Sequence, residues 1–271
     1  MSLETASVSR RADGRATKRR LAVLGVAAAL LLVAVFALAP KAQDQGYHLF
    51  ADAAPLGPVP NALNVLSNLG FLAVGLWGLE AVAAARAAHA SDNSWELRSW
   101  TLFFAAIAAT AFGSAWYHAA PDDARLFWDR LPMTVAFSSL VAAVLGERVD
   151  ARVGGRLLVP LVGAGLTAIL AWRLFGNLRP YIFLQAFSIL VVLASALFFP
   201  SHHAHGRWLA GLLAGYAAAV LFEIFDHQVK AALGITGGHP LKHLAAAAGT
   251  ACLVWMIRQR RGSRPPALGP S

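Results

Sequence analysis

The sequence contains few charged residues and almost no cysteine. Charged residues make up 14% of its 271 residues and hydrophobic residues 58%, whereas a typical soluble domain carries about 25% charged residues. The single cysteine, Cys252, excludes an internal disulfide, a thiolate metal cluster and a dithiol redox pair. The composition therefore predicts a membrane protein, in which a metal ion would depend on histidine and carboxylate ligands.

Acidic residues are scarcer than basic ones, with 14 Asp and Glu against 23 Lys and Arg. The basic residues gather in short segments beside apolar runs and do not form a stripe interleaved with aromatic residues, which a nucleic-acid-binding surface would require. No nucleic-acid partner is predicted. Membrane topology accounts for the excess of positive charge.

Eight apolar runs approach the roughly 20 residues that a helix needs to cross a bilayer. They cover residues 21–39, 62–85, 97–118, 131–146, 156–172, 180–199, 208–225 and 241–257. The segments between them are too short for a separate soluble domain. We therefore predict an all-α, polytopic membrane protein, with a seven-helix core at residues 61–257 and an N-terminal transmembrane anchor at residues 21–39.

The positive-inside rule orients this bundle. With a cytoplasmic N-terminus and eight crossings, most Lys and Arg lie on the cytoplasmic side, including a basic tail at residues 1–20, expected to be disordered, and a second at residues 258–271. The first apolar run also resembles a signal peptide ending near Ala39, but its length favours a retained anchor.

Polar side chains within the predicted spans concentrate at one end of the bundle. Such groups are costly in a bilayer and mark a functional interior by default. Alternating directions of travel bring five segments to the non-cytoplasmic side, and their polar residues are Asn61, Asn64, Ser67, Asn68, Ser114, His118, Asp129, Glu223, Asp226, His227, His239 and His243. We therefore predict a site facing the periplasm, the cell exterior or a lumen.

Three histidines of this set form a candidate metal site. His239 and His243 are one helical turn apart and project from the same face. His118, from another span, could complete a three-histidine site with an open position for water, as in catalytic zinc centres. The alternative is that these histidines only make hydrogen bonds between helices or cap a helix.

Two further residues could perform chemistry beside such a metal. Asp129 would accept a proton from a metal-activated water and pass it to the leaving group; the alternative is an exposed carboxylate paired with Arg125 or Arg130. Ser114 could hydrogen-bond the water or the developing oxyanion; the alternative is a small residue that lets helices pack closely beside Gly113.

Four motifs in this order resemble the alkaline ceramidase family, which belongs to a superfamily of seven-helix membrane hydrolases and receptors that includes the adiponectin and progestin receptors. They are N-V-L-S-N at 64–68, G-S-A-W-Y-H at 113–118, D-R-L-P-M at 129–133 and G-H-P-L-K-H at 238–243. The resemblance implies that His118, His239 and His243 bind Zn²⁺, that Asp129 orients the attacking water, and that Ser114 assists. It also implies hydrolysis of the amide bond of ceramide, or a related N-acyl lipid, to a long-chain amine base and a fatty acid.

The same resemblance suggests further residues and reveals differences. Asn64, Asn68, Glu223 and Asp226 are candidates for groups that support the zinc ligands, although Glu223 and Asp226 could equally pair with Lys230 or Lys242. The acidic calcium cluster of eukaryotic members is represented only by Asp52 and Asn61, so Ca²⁺ is a candidate ion and not a prediction. Arg130 stands where those members carry an acidic residue, which would alter the preferred head group.

A membrane lipid is thus the predicted partner, and a zinc-dependent hydrolase of linear amides the predicted function. The alternatives are a phospholipid ester hydrolase with the same site and a non-enzymatic, lipid-sensing receptor-like protein. The sequence leaves the head group, the chain length and the oligomeric state open.

Overall fold

The computed structural model describes residues 3–88, 95–199 and 206–259. Within these ranges the regular structure is helical. The helices are α1 (Leu3–Ala37), a 3₁₀ turn (Gln45–His48), α2 (Ala62–Leu66), α3 (Leu69–Ala88), α4 (Trp95–Ala119), α5 (Asp123–Arg148), α6 (Ala151–Phe175), α7 (Arg179–Phe198), α8 (Gly206–Ile224), α9 (Asp226–Leu233) and α10 (Gly238–Gln259).

Eight helical segments in the described ranges are long and apolar enough to cross a membrane. The prediction of an all-α, polytopic membrane protein is confirmed. The second segment, Ala62–Ala88, consists of α2 and α3, which are separated by a turn at Ser67 and Asn68. The C-terminal tail beyond residue 259 lies outside the described residues.

The bundle closes on itself. Each of α3 to α8 packs against the next helix in the chain, and α10 packs between α8 and α3. This arrangement forms a ring of seven helices, while α1 lies outside the ring against α7. Arg179 at the start of α7 holds α1 in place by donating to the carbonyls of Phe36, at 3.1 Å, and Leu38, at 2.6 Å.

The basic segment at residues 3–20, which we expected to be disordered, is helical in this structure and continues into the first apolar run. Its composition offers a reason, because alanine, arginine, lysine and leucine have high helix propensity. α1 is therefore one helix that begins at Leu3, before the apolar segment Ala16–Ala37, and ends with it at Ala37.

The fourth span begins two turns earlier than the hydrophobic pattern indicates. Asp122 caps α5 by accepting the backbone N–H of Arg125 at 2.7 Å, so the helix starts in a charged segment that an apolar scan does not detect. Asp129 therefore lies inside α5, and Pro132 is an interior residue of the helix, although the apolar run that begins at residue 131 would place it in the first turn. An interior proline leaves the carbonyl four residues earlier, that of Trp128, without its helical donor.

Close packing of α4 and α5 at this point depends on Gly113. A Cβ at Gly113 would lie 2.9 Å from the carbonyl carbon of Trp128 and 3.3 Å from the Cα of Asp129. Only a residue without a side chain permits that approach. Gly113 thus lets its neighbour Ser114 reach Asp129 on the facing helix.

Candidate metal centre

The three predicted histidines come together at one end of the helix ring. His118 is in the last turn of α4, and His239 and His243 are in the first two turns of α10. Their ring centroids are 4.8 to 5.0 Å apart, and one candidate ligand nitrogen from each lies within 4.8 Å of the other two. All three side chains are buried. The three histidines could hold a metal ion.

One of the three histidines has a ring nitrogen that is free to bind a metal ion. The Nδ1 atom of His118 is buried without a hydrogen-bond partner among the described residues. Buried polar atoms without partners are costly and therefore uncommon. Three imidazoles in van der Waals reach of each other are also the donor set of a catalytic zinc site, which keeps a fourth position open.

Ser67 orients one of these imidazoles. Its Oγ lies 2.8 Å from Nδ1 of His243 and 3.1 Å from the backbone carbonyl of Asn64. The hydroxyl has a single proton, which it donates to the carbonyl, so it accepts the Nδ1–H of His243. The lone pair of His243 is then on Nε2, and a hydrogen bond of this kind is typical of metal-binding histidines. The sequence placed Ser67 at this end of the bundle, within the N-V-L-S-N motif, but indicated no role for it at the metal site.

Glu223 lies beside the second imidazole. Its Oε1 is 3.7 Å from Nδ1 of His239, and its other carboxylate oxygen makes an ion pair with Lys242. The ion pair with Lys242, one of the two roles considered for Glu223, is present. At 3.7 Å the carboxylate is too far from His239 for a hydrogen bond, so its support of that imidazole stays a prediction. The ion pair keeps the Lys242 ammonium compensated inside the bundle.

Asp226 supports the backbone of the site and not an imidazole. Its Oδ1 accepts the backbone N–H of His239 at 2.8 Å, and its Oδ2 accepts the N–H of Ala51 at 2.9 Å. Gly238 permits this contact, since a Cβ there would lie 2.8 Å from the Cα of Asp226. Asp226 thus joins the start of α10 to the loop that follows the 3₁₀ turn.

Asparagine side chains hold the backbone around the same end of the bundle. Asn61 donates to the carbonyl of His118 at 2.8 Å, Asn64 to the carbonyl of Asp52 at 2.6 Å, and Asn68 to the carbonyl of Asn64 at 2.8 Å. The first bond fixes the start of α2 against the last turn of α4, the second joins α2 to the preceding loop, and the third closes the turn after α2. The asparagines therefore position the segment that carries Ser67.

The two residues considered for calcium are engaged with other groups. The Asp52 carboxylate is buried, and the ammonium of Lys230 lies 3.2 Å from its Oδ2. The Asn61 amide is bonded to the His118 backbone. A lysine thus supplies the positive charge at Asp52, so the structure does not support a calcium site at this pair.

Asp129 and Ser114 form the polar wall beside the histidines. Both side chains are buried, line the same cavity and lie close enough to interact. We considered Arg125 as a partner for an exposed Asp129. Its Nη1 atom instead lies 3.9 Å from Oδ2 of Asp122. Ser114 and Asp129 are therefore buried neighbours, and the interpretation of Asp129 as an exposed carboxylate is wrong.

A cavity of about 390 Å³ opens between the helices from this wall, a size within the usual range of ligand sites, roughly 300–1,000 Å³. Its polar end contains Ser114, Asp129 and His243, and its far part is lined by apolar residues such as Phe103, Leu140, Val192 and Leu212. Such a cavity can hold the aliphatic chain of a lipid, with the polar group of that lipid next to His243.

Tyr47, in the 3₁₀ turn outside the spans, also lines the cavity. Burial raises the pKa of its phenol above the ordinary value, so the group stays protonated at neutral pH. We did not predict this residue, because its segment carries no pattern that connects it to the helices.

Comparison with protein-family models, with curated proteins and with solved structures found no match.

Proposed function

We propose that this protein is a zinc-dependent membrane hydrolase that cleaves the acyl amide bond of ceramide or of a related N-acyl lipid. One observation carries the proposal: three buried histidines converge, and one of them, His243, lines an apolar cavity that also contains Ser114 and Asp129. The proposal includes the orientation predicted from charge, with both termini cytoplasmic and the site toward the opposite face.

The donor set favours zinc among the common metals. Three imidazole nitrogens with an open position are typical of catalytic zinc, whereas Ca²⁺ and Mg²⁺ require oxygen ligands. When bound, zinc would act as a Lewis acid, which polarises the acyl carbonyl and lowers the pKa of a bound water.

The residues of the chain then have separate tasks. Asp129 accepts a proton from the attacking water and returns it to the leaving nitrogen, so that the amide and one water give a fatty acid and an amine. The Ser114 hydroxyl holds the Asp129 carboxylate in place. The apolar cavity binds the acyl chain and excludes bulk water, which strengthens the electrostatic interactions at the polar end.

The test is metal analysis together with a hydrolysis assay of the purified protein in detergent. We expect one zinc per chain and release of fatty acid from ceramide or an N-acylethanolamine. His243→Ala should lose both zinc and hydrolysis, while His227→Ala, which replaces an exposed histidine of α9, should keep both.

Two results would contradict the proposal. The first is a wild-type protein without stoichiometric zinc, and the second is a His243→Ala variant that retains zinc and hydrolysis. Release of fatty acid from phosphatidylcholine but not from amides would indicate the ester hydrolase. Stoichiometric zinc and saturable lipid binding without hydrolysis would indicate the receptor-like alternative.

A further inference from the structure

Arg130 is buried within a cage of three aromatic rings. Its guanidinium carbon lies 4.7 Å from the ring centroid of Trp172, 5.1 Å from that of Tyr181 and 5.5 Å from that of Tyr47. The rings come from α6, α7 and the 3₁₀ turn, and only 8% of Arg130 is exposed. Three separate segments thus hold this side chain in one position.

The aromatic cage stabilises the charge of Arg130 but leaves hydrogen-bonding capacity unused. Ring faces attract a guanidinium, but they do not replace the strong acceptors that its N–H groups require. The Nη1 atom is buried and has no hydrogen-bond partner in the part of the chain that the structure describes. The carboxylate of the adjacent residue Asp129 makes no ion pair with Arg130 within 4.0 Å among the salt bridges of the described residues.

Arg130 lines the same cavity as Asp129 and His243. The side chain that carries the unpartnered donor therefore belongs to the cavity in which we propose that the lipid binds. A buried charged donor without an acceptor carries a large desolvation cost. A ligand that brings an acceptor to Nη1 removes that cost.

The charges around the cavity favour an anionic acceptor. The negative charge of Glu223 balances the positive charge of Lys242 in a direct ion pair. For Arg130, the acidic residue nearest in the chain is the preceding residue, Asp129. Because the three imidazoles bind a metal as neutral ligands, the two charges of a bound Zn²⁺ would have no counterion among these groups. One negative charge on the ligand would reduce this excess.

We propose that Arg130 binds an anionic oxygen group, a carboxylate or a phosphate, located beside the acyl linkage of the lipid substrate. The planar guanidinium suits both groups, because it can donate two parallel N–H bonds to their oxygens. Ceramide carries only hydroxyl groups at that position. The inference rests on the proposed function in one respect, since it takes the cavity to be the lipid site.

Binding of ether lipids without a scissile acyl bond tests the proposal independently of hydrolysis. The probes are dodecyloxyacetate, dodecyloxyethyl phosphate and the neutral dodecyloxyethanol, which share one alkyl chain and differ in the terminal group. Each is titrated calorimetrically into the zinc-loaded protein in a neutral detergent. Wild type is compared with Arg130→Gln, Arg130→Lys and the control Arg125→Gln, which changes a partly exposed arginine of the same helix.

We expect wild type to bind at least one anionic probe about tenfold or more tightly than the neutral probe, which corresponds to about 1.4 kcal/mol. Arg130→Gln should reduce this ratio to within about twofold of unity, and Arg125→Gln should preserve it. Arg130→Lys should retain a smaller preference, because it keeps the charge but loses the planar donor pair. The anionic probe that binds more tightly identifies the group as carboxylate or phosphate.

Equal binding of all probes by wild type would overturn the proposal, as would an unchanged preference in Arg130→Gln with normal zinc content. If Arg130→Gln does not fold, the wild-type ratio and the Arg130→Lys variant still decide the question. Hydrolysis of ceramide without any anionic preference would refute this inference and leave the proposed function intact. A preference for anionic probes that depends on Arg130, without hydrolysis of any lipid, would support this inference and contradict the proposed function.

Discussion

Removing the Ser67 hydroxyl should weaken metal binding without touching a metal ligand. Ser67→Ala deletes the acceptor for Nδ1–H of His243, which lies 2.8 Å from Oγ. The imidazole then loses the bond that sets its tautomer and its ring orientation. Hydrogen-bonded supports of metal-binding histidines typically contribute 10- to 100-fold in affinity, which corresponds to about 1.4–2.7 kcal/mol.

The assay is a competition titration of zinc between the purified protein and a chelator of known affinity. Ser67→Thr keeps a hydroxyl and should lie close to wild type. The matched control is Ser188→Ala, which removes another buried hydroxyl that lines the cavity but bonds to the carbonyl of Leu184 in its own helix at 2.8 Å.

A Ser67→Ala variant whose zinc affinity stays within about twofold of wild type would refute this account of the His243 tautomer. An equal loss in Ser188→Ala would also refute it, because the effect would then follow from any buried serine deletion. A selective loss in Ser67→Ala would link the turn between α2 and α3 directly to the metal centre.

Four further perturbations follow from the structure. Asp129→Asn should lower kcat by about 10²–10⁴ with normal zinc content, as expected for loss of a general base; hydrolysis at the wild-type rate would contradict its role. Gly113→Ala should destabilise the fold by about 1–3 kcal/mol through overpacking, seen as a lower Tm in detergent, whereas an unchanged Tm would refute the close approach of α4 and α5. Removal of zinc by a chelator should lower Tm in wild type but not in His243→Ala; equal shifts in both would argue against a metal at the histidines. A periplasmic reporter fused after Leu233 should be active, and inactivity there would place the site on the cytoplasmic face.

The local pattern of the sequence was sufficient for the architecture. A long apolar run in a bilayer must satisfy its backbone hydrogen bonds internally, which leaves the helix as the available form for a single segment. Short connections then alternate the direction of the spans. The alternating direction of the spans predicted that His118 and the His239–His243 pair lie at the same end of the bundle. The structure brings these three residues together.

Local patterns failed where polar residues begin a helix. α5 starts at Asp123 because Asp122 caps it, and its first two turns are too polar for a hydropathy scan. The sequence likewise placed Asp226 near the site but did not show that its carboxylate binds two backbone N–H groups. Alternation of the spans determines which end of the bundle a residue reaches, but not which atoms meet there.

By itself the sequence determined a helical membrane bundle with its histidines, Asp129 and Ser114 at one end, since hydrophobicity and helical spacing are properties of contiguous residues. Only the tertiary structure decided that Ser67 orients His243, that Lys230 compensates Asp52, and that Arg130 lies within an aromatic cage. Each of these contacts joins segments far apart in the chain. Their partners depend on helix rotation and on the path of the loops, which no local periodicity specifies.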